Sequence, residues 1–395
     1  RTRLTHSLEA SSIGRSLGTL VGERVIARHQ LLGLEAADFG NICAAACLAH
    51  DIGNPPFGHS GEDAIRHWAA TAEYGARRVA MLQEGSKRED FLAFEGNAQG
   101  FRIVTRLQNP DNPGGLQLTC ATLAAFSKYP CESFLGANRL PGVSAKKQGF
   151  TVADGTTFTQ IAEAVGLLSR STQYAAWYRH PLAFLVEAAD DIAYRVIDLE
   201  DGYRIAHFSY DEVASAFLAL LPNRAQQGIR LQSIREPKDR VEFLRAKVIN
   251  EVIQQTLQCF MDNETAILAG KMDVPLLDEL PCRQEAEVLI SMARQRIYCA
   301  PEVVSIQAAG FQVINDLLER FIQVIDDVAE HGAQASPRSR MLLQLIPEQF
   351  IGIDHVPAQD PYTRLLLLTD FVSGMTDSYA VTLYKKVTGI SLPGG

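Results

Sequence analysis

Long apolar runs are missing from this sequence of 395 residues. No stretch approaches the roughly 18 consecutive apolar residues of a membrane-spanning helix, so we expect no membrane span. No signal peptide is visible, and because the chain begins at Arg1 rather than Met, we expect the natural N-terminus to lie upstream. Hydrophobic residues make up 47% of the chain, which is typical of a soluble globular protein of one or two domains.

A disulfide framework and an excess of basic residues are also missing. Seven cysteines without a repeating pattern are typical of reduced thiols in a cytoplasmic protein. Cys43 and Cys47 lie in an apolar stretch, which predicts core positions rather than a zinc site built from CxxC pairs. The net charge of −9 argues against a generally basic nucleic-acid-binding protein. It leaves room for a locally basic pocket.

Alternating strand patterns are scarce, and the apolar residues mostly follow helical spacing. Only residues 149–158 favour a short extended piece or hairpin. We therefore predict an all-α fold with a core of residues 1–220, which carries the polar clusters, and a helical extension of residues 221–395. A single domain stays open as an alternative. Breaks lie at 108–115, 135–149 and 331–339, and helical spacing covers 41–50, 159–169, 181–199, 211–221, 239–260, 283–298, 302–329 and 364–387.

The stretch CLAHDIGNPPFGHSGE, residues 47–62, places polar side chains around a break in an apolar helix. Neighbouring residues on a helix point about 100° apart, so His50 and Asp51 can reach one ion only at a helix end. Gly53 and Pro55 supply that end. Imidazole nitrogen and carboxylate oxygen suit Mn, Fe, Co, Ni, Zn or Mg. Taken alone, the pair more often represents a capping aspartate beside a packed histidine.

Two further segments carry polar residues in amphipathic or apolar surroundings. In RTRLTHSLE, His6 lies in an amphipathic segment, and HPLAFLVEAADDIAYRVIDLED contains Asp190 and Asp191. An ionised aspartate in such an apolar helix is costly unless a cation or hydrogen bonds compensate. Asp190, Tyr194 and Asp198 follow at i, i+4 and i+8, which puts them on one helix face. This stripe is typical either of a site wall or of an exposed polar face.

His6, the His50–Asp51 pair and Asp190 together form the H…HD…D pattern that defines the HD superfamily of metal-dependent phosphohydrolases. At family level, five stretches between residues 1 and 380 resemble the deoxyguanosine triphosphate triphosphohydrolases (dGTPases), in the same order. The resemblance implies an HD-domain helical core with an additional C-terminal helical region. The five stretches are RTRLTHSLE, LAHDIGNPPFGHSGE, FEGNAQGFR, EAADDIAYRVIDLEDG and LTDFVSGMTDSYA.

The resemblance implies hydrolysis of a deoxynucleoside triphosphate, with dGTP preferred, to the deoxynucleoside and inorganic triphosphate. A divalent metal ion would neutralise charge and orient the phosphate at the attacked α-phosphorus. That ion would be Mn or Mg, with Fe, Co or Ni as alternatives. The resemblance also implies four protein ligands for it, which are His6, His50, Asp51 and Asp190.

A second polar pair, His59 and Glu62, follows the corner PPFG at a spacing of i, i+3. That corner would start a helix with both side chains on one face. Glu62 can orient His59, whose ordinary pKa of about 6.5 suits acid–base chemistry near neutral pH. The resemblance identifies the pair as the catalytic dyad. Whether His59 serves the attacking water or the leaving 5′-oxygen stays open.

Further polar residues are candidates for substrate contacts. Arg3 lies one helical turn before His6, which places it to contact the α-phosphate. Tyr194 and Asp198 resemble family residues at the deoxyribose, where Tyr194 would fill the space of a 2′-hydroxyl and Asp198 would accept from the 3′-hydroxyl. Asn97 is a candidate ligand of phosphate or sugar. Three cations, each equally typical of a solvated surface charge, are candidates for the β- and γ-phosphates: Lys128, Arg102 and Arg106.

The resemblance also concerns partners. Because dGTPases are often hexamers, we expect a homo-oligomer that uses the C-terminal helices, with a nucleotide or single-stranded DNA as a candidate effector. Strict dGTP hydrolysis and broader dNTP hydrolysis both stay open. Two other functions stay open as well. One is another HD phosphohydrolase, such as a phosphodiesterase or nucleotidase, and the other is a nucleotide- or single-stranded-DNA-binding regulatory protein with a silent site. Among the remaining histidines, we expect His180 to cap the helix that carries Asp190.

Overall fold

A computed structural model describes residues 3–82, 85–133 and 140–390. Within these ranges the chain forms eighteen α-helices and no β-strand, which confirms the predicted all-α fold. Isolated β-bridges join Cys131 to Ala176 and Ser169 to Trp177. Among the described residues, no single helix combines the length and the apolar composition of a membrane span, although one pair bent by 72° meets both criteria jointly.

The helices of the first half bring together the polar segments of the sequence. Single π-helical turns extend two of them, at Ile103–Leu107 and Ala193–Ile197. The helices are α1 (Arg3–His29), α2 (Ala36–Ala49), α3 (His59–Thr71), α4 (Gly75–Ala80), α5 (Ser86–Leu92), α6 (Gly96–Arg102), α7 (Cys120–Phe126), α8 (Gly155–Ala164), α9 (Pro181–Ile192) and α10 (Asp198–Arg204).

The helices of the second half include two long ones, α13 and α15. A third π-helical turn, Arg294–Tyr298, follows α14. The bounds are α11 (Tyr210–Ala219), α12 (Arg224–Gln232), α13 (Pro237–Leu268), α14 (Arg283–Ala293), α15 (Pro301–His331), α16 (Pro337–Leu343), α17 (Pro361–Ser373) and α18 (Asp377–Thr388).

Close packing of α1 on α2 positions the first part of the site. A Cβ atom added to Gly14 would lie 2.5 Å from Cys47 Sγ, and one added to Gly18 would lie 2.6 Å from the carbonyl oxygen of Phe39. Only glycine permits this approach of the two helices. Cys43 and Cys47 are buried between them, which confirms their prediction as core residues.

Two large hydrophobic cores form among the described residues, beside a small cluster around Tyr129 and Cys131. The larger one lies between α1, α2, α7, α8, α9, α11, α13 and α14. The smaller one joins α3, α4 and α5 to the C-terminal helices α15, α16, α17 and α18. Each core therefore combines segments from before and after residue 220, and the division into 1–220 and 221–395 stays a prediction.

Two local predictions are wrong. Residues 149–158 form no hairpin: the 3₁₀ turn Val152–Asp154 leads into α8. Asp154 accepts a hydrogen bond from the Thr151 hydroxyl at 2.6 Å, which favours a turn over an extended chain. Residues 364–387 are not one helix, because Thr376 caps a new helix after the end of α17. The predicted break at 135–149 falls partly on residues 135–139, which lie outside the described residues.

Candidate active site

Three helices bring together side chains that could hold a metal ion, and we call these the metal-binding group. His6 lies in the first turns of α1, His50 at the C-terminal end of α2 and Asp190 in α9. Asp190 Oδ1 is 2.9 Å from His6 Nε2 and 3.2 Å from His50 Nε2. One ligand atom from each of the three residues lies within 4.8 Å of the other two, which is the spacing needed to hold one ion.

Asp51, the fourth predicted ligand, lies beside this group. Its Oδ1 atom is 3.3 Å from His50 Nε2 and accepts a hydrogen bond from Asn54 Nδ2 at 2.7 Å. The loop that follows α2 therefore supplies both the carboxylate and the amide that orients it. Asp51 is not one of the three residues whose ligand atoms lie within 4.8 Å of one another, and its role as a fourth ligand stays a prediction.

The chemistry of the donor set fits a divalent cation. His50 Nδ1 lies 2.6 Å from the Cys47 carbonyl oxygen, so Nδ1 carries the proton and Nε2 faces the group. Nε2 is buried and lies 3.2 Å from Asp190 Oδ1 and 3.3 Å from Asp51 Oδ1, without the geometry of a hydrogen bond to either. Burial lowers the pKa of His50, but the neighbouring Asp190 and Asp51 carboxylates outweigh burial and raise it to about 9. The site thus attracts positive charge.

The His59–Glu62 pair has the geometry of an acid–base dyad. His59 Nδ1 lies 2.9 Å from Glu62 Oε2, and the Gly96 N–H donates to Glu62 Oε1 at 2.8 Å. The Glu62 side chain is 4% exposed and that of His59 85%. The hydrogen bond to Glu62 raises the pKa of His59. Burial alone would raise the pKa of Glu62, but its contacts with His59 and Gly96 lower it.

C-terminal helices hold the corner between the two polar pairs. Phe57 has a φ of +64°, a strained value for this residue type. Its N–H donates to Asp377 Oδ1 at 3.0 Å, and Ser60 Oγ donates to the Gln307 carbonyl oxygen at 2.9 Å. A Cβ atom added to Gly310 would lie 2.2 Å from Phe57 Cγ. The position of α3 therefore depends on α15 and α18.

Two adjoining cavities meet at the metal-binding group. The first has a volume of about 360 Å³ and the second about 340 Å³. His6, Asp51 and Tyr194 line both of them. The predicted site residues that line only the first are His50, His59, Glu62, Asn97, Lys128 and Asp190. Of these two cavities, the second alone is lined by Asp198 and by Arg3, which also lines a third cavity of about 650 Å³ next to Asp51.

The structure excludes one predicted phosphate ligand and leaves another outside both cavities. Arg102 is 1% exposed and forms ion pairs with Asp154 at 2.8 Å and Asp370 at 2.6 Å. It therefore stabilises the packing of α6 on α17 and cannot reach a phosphate, so its prediction is wrong. Arg106 lies 3.7 Å from Asp154 and lines neither cavity. Arg3 donates to the carbonyl oxygens of Asn54 and Pro55.

The structure adds two residues that sequence patterns did not indicate. Tyr298 donates from its hydroxyl to Asp198 Oδ2 at 2.5 Å, and its ring stacks on Tyr194 with centroids 5.4 Å apart. Lys147 lines the first cavity. Neither is at helical spacing from another site residue, and the only signal for Lys147 is its place in a polar break. His180 caps α9 by accepting from the Leu182 N–H, as predicted.

Comparisons with known proteins bear on the family of this chain. Residues 3–95 match the HD domain family, and residues 279–386 match the phosphohydrolase-associated domain family. A deoxyguanosinetriphosphate triphosphohydrolase-like protein of Synechocystis sp. is 46% identical over 99% of this chain and 87% of its own length. A protein of the same name from Pseudomonas aeruginosa is 37% identical over 99% and 86%.

A relative without the suffix "-like" is also similar. The deoxyguanosinetriphosphate triphosphohydrolase of Klebsiella pneumoniae is 30% identical over 99% of this chain and 87% of its own length. These matches confirm the family resemblance that rested on five sequence stretches. The HD domain match agrees with these relatives, and so does the group of two histidines and a carboxylate on three helices. The chain belongs to the dGTP triphosphohydrolase-like family of HD phosphohydrolases.

Proposed function

We propose that this protein hydrolyses dGTP, and other dNTPs to a lesser extent, to the deoxynucleoside and inorganic triphosphate. The observation that carries the proposal is the pair of cavities on either side of His6, Asp51 and Tyr194. A nucleotide that spans both would place its α-phosphate at their boundary. Hydrolysis there would leave the triphosphate in one cavity and the deoxynucleoside in the other.

The position of the lysines supports this orientation. Lys128 and Lys147 line the first cavity, and Asn97 adds an amide, so we assign it to the triphosphate. Tyr194 and Asp198 line the second cavity, which we assign to the nucleoside. A chain of three phosphates would follow the lysines away from the metal-binding group. The attacked α-phosphorus then lies next to His6 and Asp51.

HD domains are metal-dependent, and His6, His50 and Asp190, with Asp51, are the residues we assign to the ion. Mn or Mg is the ion we propose. When bound, it supplies neutralisation of phosphate charge and orientation of the α-phosphate. Arg3 at the edge of the second cavity adds a cation on the opposite side of the boundary.

His59 is the residue that we assign to proton transfer. Its Nδ1 is held by Glu62, so the proton that moves is the one at Nε2. With a raised pKa, the imidazole is a strong enough base to take a proton from water and, once protonated, an acid for the leaving 5′-oxygen. Glu62 keeps the ring oriented and stabilises its protonated form.

Recognition of the sugar is assigned to the two stacked tyrosines and Asp198. Tyr298 orients the Asp198 carboxylate, which is the proposed acceptor for the 3′-hydroxyl. Tyr194 stacks on Tyr298 and is thereby held against the space that a 2′-hydroxyl would need. Replacing Tyr194 with Ala should reduce the preference for dGTP over GTP by about tenfold or more. An unchanged preference would contradict the steric role.

The family resemblance further supports a cytoplasmic homo-oligomer, with a hexamer as the proposed state. Size-exclusion chromatography with light scattering tests the oligomer. A nucleotide or single-stranded DNA is the proposed effector, and addition of either to a turnover assay tests it. Because the chain is acidic, tight binding of DNA would need a local basic strip at subunit contacts.

The decisive experiment measures turnover of dGTP with Mn or Mg and identifies the phosphate product by ion chromatography. We expect intact triphosphate, faster turnover of dGTP than of dATP, dCTP, dTTP or GTP, and no turnover by Asp51→Ala. Pyrophosphate or monophosphate as the product would contradict the proposal in favour of another HD phosphohydrolase. Binding of nucleotide or DNA without any turnover would instead favour a regulatory protein.

A further inference from the structure

We propose that Glu187 is a positioning residue that holds Lys128 in the substrate-free cavity and, when a polyphosphate binds, exchanges this ion pair for a second hydrogen bond from Arg179. The inference rests on the proposed function, because it assigns Lys128 to the triphosphate. It adds a carboxylate and an arginine that neither the sequence patterns nor the family resemblance assigned to the site.

The three side chains form a chain of contacts that leads away from the cavity. Lys128 Nζ lies 3.2 Å from Glu187 Oε1, and Arg179 Nη1 donates to Glu187 Oε2 at 2.7 Å. The exposed fraction falls along this chain, from 30% for the Lys128 side chain to 4% for Glu187 and 1% for Arg179. Glu187 lines the cavity, whereas Arg179 does not.

The contacts of Arg179 can keep Glu187 in place after the Lys128 side chain has moved to a ligand. Its Nε donates to the Lys128 carbonyl oxygen at 2.9 Å, so the guanidinium is tied to the backbone of the residue that moves. Its Nη2 is buried and has no hydrogen-bond partner among the described residues. A carboxylate that loses Lys128 can therefore turn toward a second N–H of the same guanidinium. Without such a partner, the buried carboxylate of Glu187 would be strongly destabilised.

The other lysine of this cavity, Lys147, also has a glutamate partner that is held by an arginine. Lys147 Nζ lies 2.9 Å from Glu95 Oε2, and Arg66 Nη2 donates to Glu95 Oε1 at 2.6 Å. Each lysine that lines the cavity is thus paired with a nearly buried glutamate, which also has an arginine partner. Glu95 and Arg66 do not line the cavity, and Arg66 is 28% exposed, so we propose the exchange for Lys128 alone.

The exchange selects for highly charged ligands. A ligand must replace the ion pair of Lys128 with Glu187 before it gains the contact with Lys128. A triphosphate carries enough negative charge to do so, whereas a monophosphate gains less from the same lysine and is disfavoured. Glu187 therefore weakens the binding of every anion that contacts Lys128, and only a ligand with enough negative charge gains more from that contact than the ion pair costs.

Replacing Glu187 with Gln tests the exchange, because Gln keeps the shape but removes the charge that holds Lys128. We expect inorganic triphosphate to bind about fivefold more tightly in titration calorimetry, and KM for dGTP to fall about as much with kcat nearly unchanged. Arg179→Met should have the opposite effect, because Glu187 then has Lys128 as its remaining ion-pair partner. A purely structural role would weaken binding in both variants, and that result would overturn the proposal.

A double-mutant cycle separates exchange from a general charge effect. In a Lys128→Met background, Glu187→Gln should no longer tighten triphosphate binding. The same tightening in that background would overturn the proposal. Glu187→Asp keeps the charge beside Arg179 but shortens the reach to Lys128, so it should tighten binding to a lesser degree. Triphosphate binding requires no turnover, so a different hydrolysis product would refute the proposed function while the cycle still decides the role of Glu187.

Discussion

The metal-binding group and the His59–Glu62 pair lie on one cavity but belong to different parts of the fold. His6, His50 and Asp190 come from α1, α2 and α9, which pack in the larger core. His59 and Glu62 start α3, which packs with α15 in the smaller core. The metal-binding group is assembled by packing between helices that are distant in sequence. The His59–Glu62 contact forms within one helix, but the position of that helix depends on C-terminal helices.

The largest effect should come from breaking the metal-binding group alone. Burial would raise the pKa of Asp190, but the two imidazoles keep it well below its usual range, so Asp190 is an anion at the centre of the group. Asp190→Asn should abolish metal binding and reduce turnover at least ~10³-fold. Elemental analysis of the protein measures the metal. Asp191→Asn is the matched control, since Asp191 pairs with Arg195 instead, and loss of metal there would contradict the assignment.

Breaking the dyad should reduce activity while leaving the metal content unchanged. Glu62→Gln should slow turnover by about 10²-fold, since it removes the orientation of His59 and the charge that raises its pKa. Because that pKa falls in the variant, the limb of the pH profile due to His59 should move to lower pH. An acid role places this limb on the alkaline side of the optimum and a base role on the acidic side. An unmoved limb would contradict the assignment of His59.

A substitution in the smaller core, far from His59 in sequence, should also affect the dyad. Gly310→Ala places a methyl group against Phe57 and should shift the corner before α3, lowering kcat by about tenfold to a hundredfold without loss of metal. Gly228→Ala is the control, because a Cβ atom there meets no neighbour. The Gly228→Ala control should raise the free energy of unfolding by about 0.5–1 kcal/mol, because alanine favours a helix more than glycine does. Equal kinetics of both variants would contradict the role of α15.

The smallest effect should come from a single hydrogen bond between α3 and α15. Ser60→Ala removes the donor to the Gln307 carbonyl oxygen, which should lower the free energy of unfolding by about 1 kcal/mol. Turnover should fall only about twofold, since Phe57 and Gly310 still hold the corner. Chemical denaturation and dGTP turnover measure the two quantities. A tenfold loss of kcat would show that this bond, rather than the Phe57 contact, positions the dyad.

Helical spacing was a sound guide to the fold where a helix has one apolar face. The predicted ranges 239–260 and 302–329 lie inside α13 and α15. The predictions failed where a local side chain decides the backbone. Thr151 bonds to Asp154 and turns the chain, and Thr376 caps a new helix inside an apolar stretch. Such hydrogen bonds join residues close in sequence and barely change the spacing of the apolar residues, so that spacing does not reveal them.

Candidate site residues were predictable where their residue types and spacing indicate a metal site or an acid–base pair. The HD pair and the i, i+3 spacing of His59 and Glu62 are visible in the chain, and the structure places all four on one cavity. Arg102 looked like a phosphate ligand, because a sequence cannot distinguish a buried arginine with two aspartate partners from an exposed one. The roles of these residues in catalysis stay predictions until the variants are measured.

The sequence by itself determined the helical class, the family and the residue types at the centre, because each depends on local order along the chain. Only the tertiary structure decided which residues share a cavity. His6 and Asp190 are 184 positions apart, Tyr298 stands 100 positions from Asp198, and Glu187 lies between Lys128 and Arg179. The physical reason is that these contacts arise from the packing of apolar helix faces, which sets the position of each polar side chain without leaving a period in the sequence.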